Sequence, residues 1–187
     1  MLAEPLKITL LVIDVFIKLN VPYFIGGSLA SSMHGIPRST MDADIIADLH
    51  AKDANPFVSL LEQDFYINVD MVKRAIRDRD SFNIIYLTTM FKIDIFILKS
   101  DIFSKTEFQR RREEILIHNT SRTVFVSTPE DTILQKLMWF KAGGEVSERQ
   151  WTDIMNMIKV QGERLDLVYL KKWANELGVI ALLEKAY

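Results

Sequence analysis

Phe24-Ile-Gly-Gly-Ser28, with Arg38-Ser-Thr-Met-Asp-Ala-Asp44 soon after it, carries more information than any other part of this chain. Val21-Pro-Tyr-Phe-Ile25 reads as a short buried strand, since proline suits a strand's start and not its middle. Gly26-Gly27 breaks that strand, Ser28 is expected to cap a helix from Leu29 to His34, and Gly35-Ile-Pro37 stops the helix. A strand–Gly-Gly-Ser–helix turn aims backbone N–H groups and the positive end of a helix dipole at one spot, which suits phosphate. Glycine lets a ligand approach that backbone with no Cβ in the way. Taken alone, the same turn serves as an ordinary strand-to-helix connection with a serine cap.

The acids that follow change the balance. Asp42-Ala-Asp-Ile-Ile-Ala-Asp48 reads as a strand, so alternation puts Asp42 and Asp44 on one face, about 6.6 Å apart. Two such carboxylates repel unless a cation lies between them, and hard oxygen ligands suit Mg²⁺ or Mn²⁺. The plain alternative is a solvated edge strand. A third acid stands in Phe91-Lys-Ile-Asp-Ile-Phe-Ile-Leu98, a strand apolar enough to be expected buried on both faces. Asp94 there needs a partner, a proton or a metal; a salt bridge to Arg38 or Lys92 is the alternative to metal. Paired strands would bring Asp42, Asp44 and Asp94 together beside the glycine turn, a set able to hold two metals for in-line phosphoryl chemistry.

Working outward, helices are expected over 5–19, 52–63 and a basic segment at 71–79, with strands at 82–87, 91–98, 115–118 and 123–126. From Thr128 the pattern turns helical. Thr128-Pro-Glu-Asp is a strong helix start, and helices are expected at 129–142, 147–160, 166–176 and after Gly178. The expected fold is therefore α+β, a mixed sheet flanked by helices. Residues 1–127 form the α/β core, and 128–187 form a helical bundle packed on it.

The 187 residues carry 49% hydrophobic and 26% charged side chains, an ordinary globular balance that argues against disorder. A net charge of −2 gives no overall pull toward nucleic acid or an anionic membrane. The basic runs Lys73-Arg74-Ala-Ile-Arg77-Asp-Arg79 and Arg110-Arg-Arg112 are flanked by acids, so a nucleic-acid partner is possible but not favoured. Absence of cysteine excludes disulfides and thiolate chemistry. No basic leader region and no membrane-length apolar run is visible, so a soluble, cytoplasmic protein without a membrane partner is expected. Trp139, Phe140 and Trp151 are expected to pack between the C-terminal helices, and His34 to end its helix without a chemical role.

Gly-Gly-Ser, Arg-x-Thr-x-Asp-x-Asp and a later isolated Asp in an apolar strand together resemble the nucleotidyltransferase superfamily with the DNA-polymerase-beta-like fold. The chain looks most like minimal bacterial nucleotidyltransferases of the abortive-infection and toxin–antitoxin type. Pro129-Glu-Asp-Thr-Ile-Leu-Gln-Lys136-Leu and Glu148-Arg-Gln-Trp-Thr-Asp153-Ile resemble that family's C-terminal helices, more loosely. The resemblance implies that Gly27 and Ser28 contact a nucleoside triphosphate, while Asp42, Asp44 and Asp94 are catalytic and ligate Mg²⁺ or Mn²⁺. It implies that Arg38 and Thr40 support the nucleotide or the metal-binding strand and that Lys136 neutralises phosphate charge, with Asp153 a weaker candidate for a supporting or acceptor-side role. The implied reaction is transfer of a nucleoside monophosphate to an acceptor hydroxyl of protein, RNA or a small molecule, releasing pyrophosphate. The alternative is a non-catalytic nucleotide-binding or regulatory module with a protein partner.

Overall fold

The computed structural model describes residues 4–117 and 122–187. In chain order they form α1 (Glu4–Lys18), β1 (Tyr23–Ile25), α2 (Gly27–His34), β2 (Asp42–Ala47), α3 (Ala54–Leu61), β3 (Phe65–Tyr66), α4 (Val69–Asp78), β4 (Ser81–Tyr86), β5 (Lys92–Ile97), α5 (Ile102–Arg110), β6 (Arg112–Ile117), β7 (Arg122–Val126), α6 (Pro129–Ala142), α7 (Glu148–Gln161), α8 (Leu167–Glu176) and α9 (Ile180–Ala186). The fold is α+β, with a seven-stranded mixed sheet in the order β3-β4-β5-β2-β1-β7-β6. At its centre β2 runs parallel to β5 and antiparallel to β1, and β1 runs parallel to β7.

Alternation along the central strands decides which face each residue serves. Ala43, Ile45, Ala47, Ile93, Ile95 and Ile97 are buried, as are Phe82 and Ile84 of β4, and they join Ile13, Phe16, Phe57 and Val72 in one apolar cluster. That cluster seats α1, α3 and α4 on the sheet. Each buried isoleucine, valine or phenylalanine here contributes about 1.5–3 kcal/mol by leaving water, the two alanines less. The opposite face carries α2, α5 and α6: Phe24 of β1 meets Phe108 of α5, and Phe96 of β5 meets Trp139 of α6. A second cluster, including Ile133, Leu137, Ile154, Met157, Leu170 and Trp173, joins α6, α7, α8 and α9.

Several expectations need correction. The β5 strand is buried on one face only; Lys92, Asp94 and Phe96 look out on the other, partly open to solvent. α2 begins at Gly27 with Gly26 as its cap, so Ser28 lies inside the first turn and its hydroxyl is turned to Arg38. α5 and the short β3 were not expected. The polar α5 has little apolar periodicity, and Asp101 starts it by accepting from the Ser104 N–H at 2.8 Å. His118, placed at the end of an expected strand, lies outside the described residues. No described helix is long and apolar enough to cross a membrane.

Candidate active site

Parallel pairing sets the acids in register. Asp44 stands opposite Asp94, and Asp42 opposite Lys92. On the far side of β5, Asn83 of β4 faces Asp94 and Ser81 faces Phe96. One sheet face thus carries Asp42, Asp44, Lys92, Asp94 and Asn83 as neighbours. Asp42 is held by the Thr40 hydroxyl, which donates to Oδ1 at 2.8 Å. Lys92 Nζ lies 2.7 Å from Asp94 Oδ2, so the ion pair considered from sequence does form.

Asp44 lies deepest. Burial first, then the charges of Asp42 and Asp94, push its carboxyl up to about 6, against the pull of Lys136 and a hydrogen bond from the Ser28 N–H. That bond makes Asp44 an internal anion at the start of α2, where the helix dipole favours negative charge. The turn is shaped for it. Gly27 has φ of 54°, in the left-handed region, and a Cβ there would lie 1.7 Å from Asp44 Oδ2. Only glycine fits both the backbone and the carboxylate.

A second set of charges closes the site from the helical side. Asp153 of α7 accepts from Arg38 twice, at 2.8 Å to Oδ1 and 2.7 Å to Oδ2. Lys136 of α6 donates to Oδ2 at 2.9 Å. Arg38 also donates to the Ser28 hydroxyl at 2.9 Å, linking the cluster to the glycine turn. Burial works against the Asp153 carboxylate, but Arg38 and Lys136 overcome it and hold it below the ordinary range. Sequence reasoning gave Asp153 a minor place; its one local signal was an acid next to Ile154 on the side of α7 that is buried, where a carboxylate needs a partner.

Three arginines of the two basic runs have partners within the chain. Arg110 pairs with the buried Glu130 and Asp131 and lies with its guanidinium carbon 3.7 Å from the Tyr169 ring centre. Arg111 covers the rings of Phe108 and Phe125, while Arg77 pairs with Asp78 on the surface. His34 is buried, which lowers its pKa and keeps the ring neutral; its Nε2–H donates to the Ser127 carbonyl at 2.6 Å. Phe140 and Trp151 pack together as expected, with ring centres 5.2 Å apart. Trp139 does not join them: it is 54% exposed and meets Phe96 instead.

No family model and no curated protein sequence matches this chain. Solved structures do. The antibiotic-resistance factor ANT(2'')-Ia, in its solution structure, aligns over 97% of this chain and 97% of its own, with TM-score 0.59 and 10% identity. A crystal structure of ANT(2'')-Ia with adenylyl-2''-tobramycin gives TM-score 0.60 at 11% identity, over 93% of this chain and 98% of that one. An antigenic nucleotidyltransferase-like protein from Paracoccidioides brasiliensis aligns over 94% and 91%, with TM-score 0.52 and 17% identity. This chain has the nucleotidyltransferase fold. The lincosamide antibiotic adenylyltransferase LnuA shares it at TM-score 0.52 and 14% identity, over 85% of this chain and 98% of that one. Identities this low speak for the fold alone, and within the nucleotidyltransferase fold seen here the acids, the glycine turn and the Asp153 cluster share one sheet face.

Proposed function

We propose that this protein is a metal-dependent nucleotidyltransferase whose substrate is a nucleoside triphosphate. The register pairing of Asp44 with Asp94, beside a glycine turn that only glycine can make, carries the proposal. The donor set fits a divalent cation: hard carboxylate oxygens, with Asp44 pushed up to about 6 by burial and by two neighbouring acids that a cation would relieve. Among the described residues no three His, Asp or Glu side chains close around one point, and Asp94 is turned to Lys92. Asp42 and Asp44 would therefore be the first ligands, with Asp94 joining as it leaves Lys92. Bound there, Mg²⁺ or Mn²⁺ supplies positive charge to the phosphate oxygens.

The protein's own groups do the rest. The start of α2 and the Ser28 hydroxyl receive phosphate oxygens. Arg38 and Lys136, held by Asp153, lend positive charge from the helical side, and Thr40 fixes Asp42. Asp94 takes the acceptor hydroxyl's proton. The acceptor oxygen then bonds to the α-phosphorus, the bond from that phosphorus to the bridging oxygen breaks, and pyrophosphate leaves. Residues 1–127 serve here as the catalytic core, and 128–187 as the helical part that brings Lys136 and Asp153.

The Lys92–Asp94 and Arg38–Asp153–Lys136 pairings favour a second reading, because charges already satisfied suit a module that binds nucleotide without turnover, as in paired toxin–antitoxin systems. Incubating the protein and Mg²⁺ or Mn²⁺ with each of four α-labelled nucleoside triphosphates and a cell lysate separates the two. Label in the protein, RNA or small-molecule fraction, absent with Asp42→Asn/Asp44→Asn, supports the enzyme. Metal-dependent nucleotide binding with no label supports the module, and no binding at all sinks both.

A further inference from the structure

Three strands order the site. The glycine turn at the end of β1 holds the phosphate side, β2 carries Asp42 and Asp44, and β5 carries Asp94. An acceptor hydroxyl that gives its proton to Asp94 therefore arrives from beyond β5, over β4. That part of the sheet face is open: Ser81 and Asn83 are exposed there, opposite Phe96 and Asp94. Beside it, Trp139, one helical turn after Lys136, meets Phe96 of β5 edge-on with ring centres 5.8 Å apart and planes at 88°. Edge-on contact leaves aromatic face uncovered, and a tryptophan 54% exposed against Phe96, which shares the β5 face with Asp94, is not serving the core that holds Phe140 and Trp151.

Resting on the nucleotidyltransferase reading above, we propose that Trp139 and Phe96 form the acceptor platform, and that the acceptor is a small ring-bearing alcohol. Its apolar ring face lies against Trp139, its hydroxyl points to Asp94, and its other polar groups meet Asn83 and Ser81. A ring with one apolar face and polar edges matches a surface that is aromatic on one side and amide and hydroxyl on the other.

The chain has three tryptophans, and Trp139→Phe assigns the Trp139 indole resonance by NMR. The full chain with Mg²⁺ is titrated with methyl β-glucopyranoside and benzyl alcohol as saturated and aromatic ring probes, glycerol as the ringless control, and each nucleoside triphosphate alone. At least one ring probe is expected to move the Trp139 resonance and leave those of Trp151 and Trp173 in place; glycerol moves none, and Phe96→Ala weakens the effect. In lysate transfer, Trp139→Ala is expected to raise the acceptor KM on the order of ten-fold while nucleotide affinity holds. The platform is wrong if no ring probe moves Trp139, or if Trp139→Ala leaves acceptor KM unchanged. A nucleotide moving Trp139 as far as the probes would put the base there instead of the acceptor. Ring-probe shifts with no nucleotide binding anywhere would sink the transferase reading itself, and the acceptor role with it.

Discussion

Replacing Gly27 by alanine tests the site and the fold in one substitution. The added Cβ would lie 1.7 Å from Asp44 Oδ2, 2.5 Å from its Cγ and 2.9 Å from its Cβ. The carboxylate must swing away, losing the hydrogen bond from the Ser28 N–H, which as a bond to a charged group is worth about 1.5–3 kcal/mol. A φ of 54° costs alanine roughly 1 kcal/mol more. Asp44 gains something by moving, because its charged form is disfavoured where it is. The sum falls near 2–3 kcal/mol, a Tm drop on the order of 4–12 °C for a chain this long. Urea unfolding followed by circular dichroism, with Gly27→Ala measured in both the native and the Asp44→Ala background, separates the two terms. In the second background the carboxylate is gone, so the cost should shrink by at least about 1 kcal/mol. Metal-dependent nucleotide binding should be lost in Gly27→Ala while the fold persists. An equal cost in both backgrounds, or unchanged nucleotide binding, would refute the close fit of Gly27 to Asp44.

Asp153→Asn should destabilise by about 1–3 kcal/mol, because Arg38 and Lys136 lose their shared counter-charge; an unfolding midpoint within error of the wild type would dismiss that role. Lys92→Met should tighten Mn²⁺ binding several-fold by freeing Asp94, with calorimetry as the check; weaker binding would mean Lys92 helps to build the cation site. Burial pushes Glu107 up to about 8 from 4.5, with Asp131 adding to it and Gln135 and Ser127 pulling back. The folded state then holds a proton that the unfolded chain has released. Stability therefore falls as pH rises from about 4.5 to about 8, at up to roughly 1.4 kcal/mol per pH unit. Glu107→Gln, which can accept from Gln135 and donate to the Ser127 hydroxyl, should flatten that slope and be the more stable form at pH 8; a slope as steep as wild type would count against it.

The central acids were legible because strand alternation is rigid: Asp42 and Asp44 could only share a face, and an acid amid isoleucines needed company. The Thr128 start of α6 was equally legible, its hydroxyl accepting from the Asp131 N–H at 3.2 Å. Long-range geometry was not. Nothing local says that Asp153 reaches Arg38, or that Asp44 meets Asp94 and not Lys92; only pairing register does. Trp139 misled because helical spacing places it beside Phe140, yet the two point to different sides of α6, one to Phe96 and one to Trp151. The start of α2 was missed by two residues because its first hydrogen-bonded turn, closed by the Ala30 N–H on the Gly26 carbonyl, already takes in Gly27, whose own backbone is left-handed beside Asp44.

The parallel pairing of β2 with β5 has a consequence in time as well as in space. Parallel strands cannot be joined by a tight turn, and here α3, β3, α4 and β4 are interposed, so Asp44 and Asp94 meet only after a long loop has closed. Contacts of that kind form late and slowly, after helices and hairpins such as β4–β5 have come and gone many times. A chain emerging from synthesis or refolding from denaturant should therefore acquire its helical signal well before any capacity to bind nucleotide. No fragment ending before β5 can set Asp94 opposite Asp44.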